Sequence, residues 1–179
     1  DGIFMGFNLV YLGNINCMYK LKNYDKKGLV YGFSEVSEGN LSFLWGDNEN
    51  VINNRKLFLQ KLDISTNQTV AMFVKQSDII KKVSKQDSAN LFDTERMIES
   101  DSTITREKNL ALFLLIADCI PLIITDINKT ILSVVHVGIS NTKIKFPQKI
   151  INTLKTDYGI TPENSYCVPY GRDRPSFVI

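Results

Sequence analysis

The sequence predicts an α/β fold, a single domain with a mixed β-sheet flanked by helices. Segments rich in β-branched residues crowd between residues 102 and 137, as buried strands require. Two capped helical patterns, at 49–62 and 146–158, bracket them, and a chain of 179 residues suits one core.

Taken in order, GLVYGFSE (28–35) reads as a short strand and NLSFLWGDN (40–48) as an irregular return closing in turn residues. Val51, Ile52, Leu57, Phe58 and Leu62 then fall at helical spacings behind an Asp47–Asn48 cap, which predicts an amphipathic helix over 49–62. TVAMFV (69–74) and DIIKKV (78–83) read as strands. The polar, charged stretch from Ser84 to Ser100 reads as an exposed excursion. STIT (102–105), NLALFLLIA (109–117), PLIITD (121–126) and ILSVVHV (131–137) are strands divided by turn signals such as 126–129. Phe146 to Tyr158 is a helix with Pro147 in its first turn and Gly159 just past its end.

Bulk properties narrow the function classes. The chain is 44% apolar and 22% charged, and its net charge of +2 arises from 21 basic and 19 acidic residues spread along it. Neither a nucleic acid nor a membrane surface is indicated as a partner. Three separated cysteines, Cys17, Cys119 and Cys167, do not make a disulfide framework, so a reduced, cytoplasmic setting is expected. The longest apolar run, ALFLLIA (111–117), is too short to span a bilayer, and the N-terminus lacks the order of a signal peptide. A first residue of Asp1 suggests processing or a longer product.

The chemistry concentrates in ADCIPLIITDINKTILSVVHVG (117–138), which contains the chain's one histidine, His136, seventeen residues after Cys119. Strands joined by the turn at 126–129 should run antiparallel and bring the ends that bear Cys119 and His136 together. A thiolate beside an imidazole is a nucleophile for acyl transfer, or half of a soft zinc site in need of further ligands. The structural alternative is a small apolar cysteine and a solvated or hydrogen-bonded histidine. Elsewhere Trp45 reads as a packing residue beside the Gly46–Asp47 turn. Cys17 and Cys167 read as structural, and Arg55 as a surface residue with a capping or salt-bridge partner.

The ADC-x-P segment (117–121), followed after a turn by H-x-G (136–138), resembles the laccase-domain or YfiH-like family, also named polyphenol oxidase and purine nucleoside phosphorylase. GFSEVSEGNLS (32–42), NNRKLFLQKLDI (53–64), FVKQSDIIKKV (73–83), SDSTIT (100–105) and YGITPEN (158–164) resemble its other segments, so the likeness runs from about residue 28 to the end. The resemblance implies a YfiH-like α/β domain with a His-Cys-His zinc site, copper being the older attribution. It also implies phosphorolysis of purine nucleosides such as inosine and adenosine, with adenosine deamination in some members, so that a nucleoside and phosphate are the expected partners. A homodimer is a further possibility.

Carried over, Cys119 and His136 match two of the metal ligands. Gln76 falls on the first ligand histidine, or Asp78 in a shifted register. Asp101 is placed to orient a ligand or a metal-bound group, with a strand-edge cap as the plain alternative. HVGISN (136–141) stands where the family has His-Ala-Gly-Trp-Arg-Gly, so its Trp and Arg are absent. Arg172 and Arg174 are candidate phosphate contacts in CVPYGRDRPSFVI (167–179), after which family members usually continue, so a fragment or a shortened relative is expected. Two further readings stand beside the phosphorylase: a catalytically degenerate relative acting as a binding module, and a metal-independent hydrolase with Cys119 as nucleophile and His136 as base.

Overall fold

The computed structural model describes residues 6–12, 29–34, 36–89, 92–117 and 119–169. Cys17, Arg172 and Arg174 lie outside the described residues. The strands are β1 (Gly6–Leu12), β2 (Leu29–Phe33), β3 (Thr69–Phe73), β4 (Ile80–Lys82), β5 (Ile98–Glu99), β6 (Ser102–Thr105), β7 (Ala111–Ile116), β8 (Ile120–Asp126), β9 (Leu132–Val137) and β10 (Ser165–Pro169). The α-helices are α1 (Asn48–Lys61), α2 (Ile139–Lys143) and α3 (Phe146–Tyr158).

The mixed pairing expected from the sequence is present, divided over two five-stranded sheets. One has the order β2-β1-β7-β3-β5 and the other β10-β8-β9-β6-β4. Each combines antiparallel with parallel neighbours, β3 running parallel to β7 and β4 parallel to β6. Alternation along the strands explains the layering. On β7, Leu112 and Leu114 join Ile123, Leu132 and Val134 of the second sheet in one core cluster. The intervening Ala111 and Phe113 face Phe58 and Leu59 of α1. On β9, Val135 turns outward to Phe146, Ile150 and Leu154 of α3. The result is helix, sheet, sheet, helix, and both central strands are buried on two faces, as their unbroken apolar runs predict. Burial of each such side chain contributes roughly 1.5–3 kcal/mol.

The helices start and stop for identifiable reasons. The Asp47 carboxylate accepts from the backbone N–H of Asn50 at 2.9 Å and caps α1. Pro147 lies in the first turn of α3, and Gly159 ends it in the left-handed conformation at φ 68°. On α1 the structure corrects the sequence reading: Arg55 is buried, not a surface residue. Its Nε donates to the Leu41 carbonyl at 2.8 Å, and its guanidinium lies over the rings of Phe43 (4.3 Å) and Phe113 (5.2 Å). Burial pulls its pKa down to about 9. The arginine thus fastens the 40–48 return to the first sheet. Trp45, expected to pack, is 55% exposed. Among the described residues of the excursion at 84–100, Lys85, Gln86, Glu99 and 93–96 are exposed, the others are half-buried, and Ser100 at its end is buried.

Candidate functional site

Strands β8 and β9 pair antiparallel, with Ile120 opposite Val137 and Pro121 opposite His136. That register carries Cys119 across from Gly138, so the thiol and the imidazole both lie at the end of the hairpin distant from its turn. A β-carbon built on Gly138 would lie 3.2 Å from Cys119 Sγ, 3.2 Å from His136 Cε1 and 3.3 Å from Asn141 Oδ1. Three functional atoms surround one point, and the sulfur and the ring carbon are at most twice 3.2 Å apart. Gly138 has φ −104°, which any residue adopts, so it is the space and not the backbone that calls for glycine here.

Behind the imidazole lies a carboxylate. Asp101 is fully buried, and its Oδ1 is 3.0 Å from Nδ1 of His136, itself 3% exposed. The second oxygen, Oδ2, accepts from the backbone N–H of Ser77 at 2.8 Å and from its hydroxyl at 2.7 Å. Backbone bonds reinforce the arrangement, since His136 N–H donates to the Asp101 carbonyl at 2.8 Å and Asp101 N–H to the Ile79 carbonyl at 3.0 Å. An ionised carboxylate only accepts, and against one Nδ1 is the donor, which leaves Nε2 for chemistry. Asp101 thus bonds both the His136 ring and Ser77, and three hydrogen bonds offset the cost of burying its charge.

Gln76 is exposed and holds the left-handed conformation at φ 54°, where the chain leaves β3. Asp78 is exposed and paired with Lys149 of α3, whose hydrogen bond and positive charge hold its carboxyl below the usual range. Cys167 packs against the outer core cluster beneath α3, and burial pushes its thiol up to about 11, in keeping with a structural cysteine. Two residues of the site were not singled out in the sequence. Ser77 lies between the two residues considered as ligands. Asn141 is fully buried on α2, its Oδ1 accepting from the Gly138 N–H at 3.1 Å and its Nδ2 donating to the Ser77 carbonyl. The available signal for Asn141 was a polar amide at the third helical position after a glycine.

Residues 28–169 match the model of the family described as multi-copper polyphenol oxidoreductase laccase. The chain belongs to this family. It is 26% identical over 152 residues to a curated relative from Clostridium acetobutylicum named purine nucleoside phosphorylase, a match covering 79% of this chain and 64% of that one. Two solved structures are similar in fold. YlmD from Geobacillus stearothermophilus has a TM-score of 0.69 at 24% identity, covering 73% of this chain and 50% of that one. The hypothetical protein YfiH of Bacillus licheniformis has a TM-score of 0.65 at 26% identity, covering 69% and 47%. The chain thus spans about half the length of these solved relatives.

The family's name implies copper, and the resemblance described above implies zinc. Cys119 and His136 offer two donors that suit either metal. A third does not follow: both oxygens of Asp101 are engaged by His136 and Ser77, and Asp78 is held by Lys149. Among the described residues no group of three or more His, Cys, Asp or Glu side chains could hold a metal ion. With one histidine in the chain, the donor set does not fit a His-Cys-His centre. Among the described residues, too, no helix is long and apolar enough to cross a membrane.

Proposed function

We propose that the end of the β8–β9 hairpin is a reacting centre for a purine nucleoside and phosphate, with inosine and adenosine as the substrates to try first. The observation that carries this reading is the buried Asp101–His136 pair beside Cys119. The name of the curated relative supplies the substrate class.

In phosphorolysis a phosphate oxygen bonds to C1′ of the sugar as the C1′–N9 bond breaks, and the electron pair leaves with the purine. The departing base needs a proton, usually at N7. His136, its Nδ1 bonded to Asp101, relays that proton: Nε2 takes it from the dihydrogen phosphate as the phosphate oxygen attacks and passes it to N7 of the departing base, so the ring ends neutral. The Cys119 side chain lies near the ring, both bordering the space over Gly138. With water in place of phosphate the same arrangement gives hydrolysis, and attack at the purine C6 would give deamination of adenosine. No step is assigned to a metal.

A second reading draws on the same residues. A thiol beside an imidazole that is oriented by a buried carboxylate is the arrangement of a cysteine hydrolase, with Cys119 as nucleophile and His136 as base. The assay that separates these readings measures free base released from inosine and adenosine, with and without phosphate and with and without zinc, beside Cys119→Ala and His136→Asn. Release that needs phosphate and His136 supports the phosphorylase. No release above the variants, with the protein folded, contradicts it and leaves the hydrolase or a binding module.

A further inference from the structure

We infer that Asn141 is a positioning residue of this centre, acting through Ser77 and Asp101 to fix which nitrogen of His136 is left for chemistry. The inference rests on the reading that Cys119 and His136 form the reacting centre, but not on what they act upon.

The amide of Asn141 has one orientation open to it. Gly138 offers an N–H and Ser77 a carbonyl, so Oδ1 must face the first and Nδ2 the second. The side chain has no exposure, so leaving either group unsatisfied costs the full desolvation of that group. It therefore joins two stretches 64 residues apart, the start of α2 beside Cys119 and the loop that follows β3.

That loop is the one that holds Asp101. Ser77 gives Oδ2 both its N–H and its hydroxyl, and the Ile79 carbonyl accepts from the backbone N–H groups of Asp101 and Ser102 at 3.0 and 3.1 Å. Asp101 in turn presents Oδ1 to His136 Nδ1. Displacement of Ser77 would let the carboxylate rotate and weaken its hold on the ring. Free histidine favours the opposite tautomer, with hydrogen on Nε2, so the Nδ1–H form depends on Asp101 staying in place. Asn141 thus contacts the mouth of the site directly, through Gly138, and its back indirectly, through Ser77.

A second tie to the same loop provides a control. Lys149 Nζ donates to the Asp78 carbonyl at 3.0 Å and pairs with its carboxylate, but this contact is exposed, and exposed pairs contribute little.

The chain's single histidine makes the test direct. Protein labelled with 15N-histidine displays two ring nitrogens that need no assignment among residues, and their shifts at one fixed alkaline pH report the tautomer. Wild type is expected to show Nδ1–H. Asn141→Ala, Asn141→Ser and Ser77→Ala are each expected to lower the ratio of Nδ1–H to Nε2–H roughly tenfold, the consequence of about one weakened buried hydrogen bond. Lys149→Ala is expected to leave the ratio unchanged. Asn141→Ser keeps a short acceptor near Gly138 while losing reach to Ser77, so it serves if the alanine variant does not fold. A wild-type ring in the Nε2–H form overturns the inference. So do unchanged ring nitrogens in folded Asn141 variants, which would reduce Asn141 to a cap of α2. Failure of base release with the tautomer response intact would sink the nucleoside reading alone.

Discussion

The β8–β9 hairpin has a buried aspartate at each end, and the two do different work. Asp126 at the turn accepts from the backbone N–H groups of Asn128, Thr130 and Ile131 and from the Thr130 hydroxyl, all within five residues of it. Asp101, at the other end, belongs to neither strand. Its partners are Ser77 and His136, 24 and 35 residues away. A carboxylate satisfied by its own turn shapes the backbone, and any nearby donors will serve. A carboxylate satisfied from distant strands holds one particular side chain in one orientation, which is what a reacting centre needs.

The largest expected effect is at Asp101. Replacement by Ala strands the Ser77 donors and the His136 N–H in a buried site and should cost about 3–5 kcal/mol, read as a lower midpoint in urea denaturation. Asp126→Ala should cost less, about 2–3 kcal/mol, because a turn can relax toward water. It should leave the reactivity of Cys119 toward a thiol alkylator unchanged, whereas Asp101→Ala should alter it. Equal alkylation rates in wild type and both variants would erase the distinction between the two ends.

Cys167 gives a prediction in pH. Its ordinary pKa of 9.0 is raised to about 11 in the fold, so between those values the unfolded chain has released a proton that the folded chain retains. Stability should therefore be intact below pH 9 and fall by on the order of 2 kcal/mol as the pH rises to about 11, a loss that Cys167→Val should remove. Denaturation at pH 8 and pH 11 checks it. Smallest is the cap of α1: Asp47→Ala should cost about 1 kcal/mol and affect neither end of the hairpin.

The same contrast explains what was legible in the sequence. Features built from neighbours were readable: α3 at its observed bounds, the turn after Asp126, and the antiparallel pairing that brings Cys119 to His136. Assignment of strands to two sheets was not. The chain passes from β6 in one sheet to β7 in the other and back to β8, and alternating apolar residues look the same in either. No element was read at Gly6–Leu12, yet β1 lies between β2 and β7. Arg55 reads as a surface residue in the sequence because its aromatic partners, Phe43 and Phe113, lie 12 and 58 positions away. Within the site, Cys119 and His136 stood out by chemistry. Ser77 and Asn141 are common polar residues whose importance comes from where distant elements place them.

One assay bears most directly on the claim that Asp101, His136 and Cys119 act as a unit: base release from inosine with phosphate by Asp101→Asn and Asp126→Ala, at a temperature where both are folded. The account expects a loss of roughly a hundredfold or more for Asp101→Asn, the scale of a disabled acid–base group, and near wild-type release for Asp126→Ala. Similar rates in wild type and Asp101→Asn would contradict it.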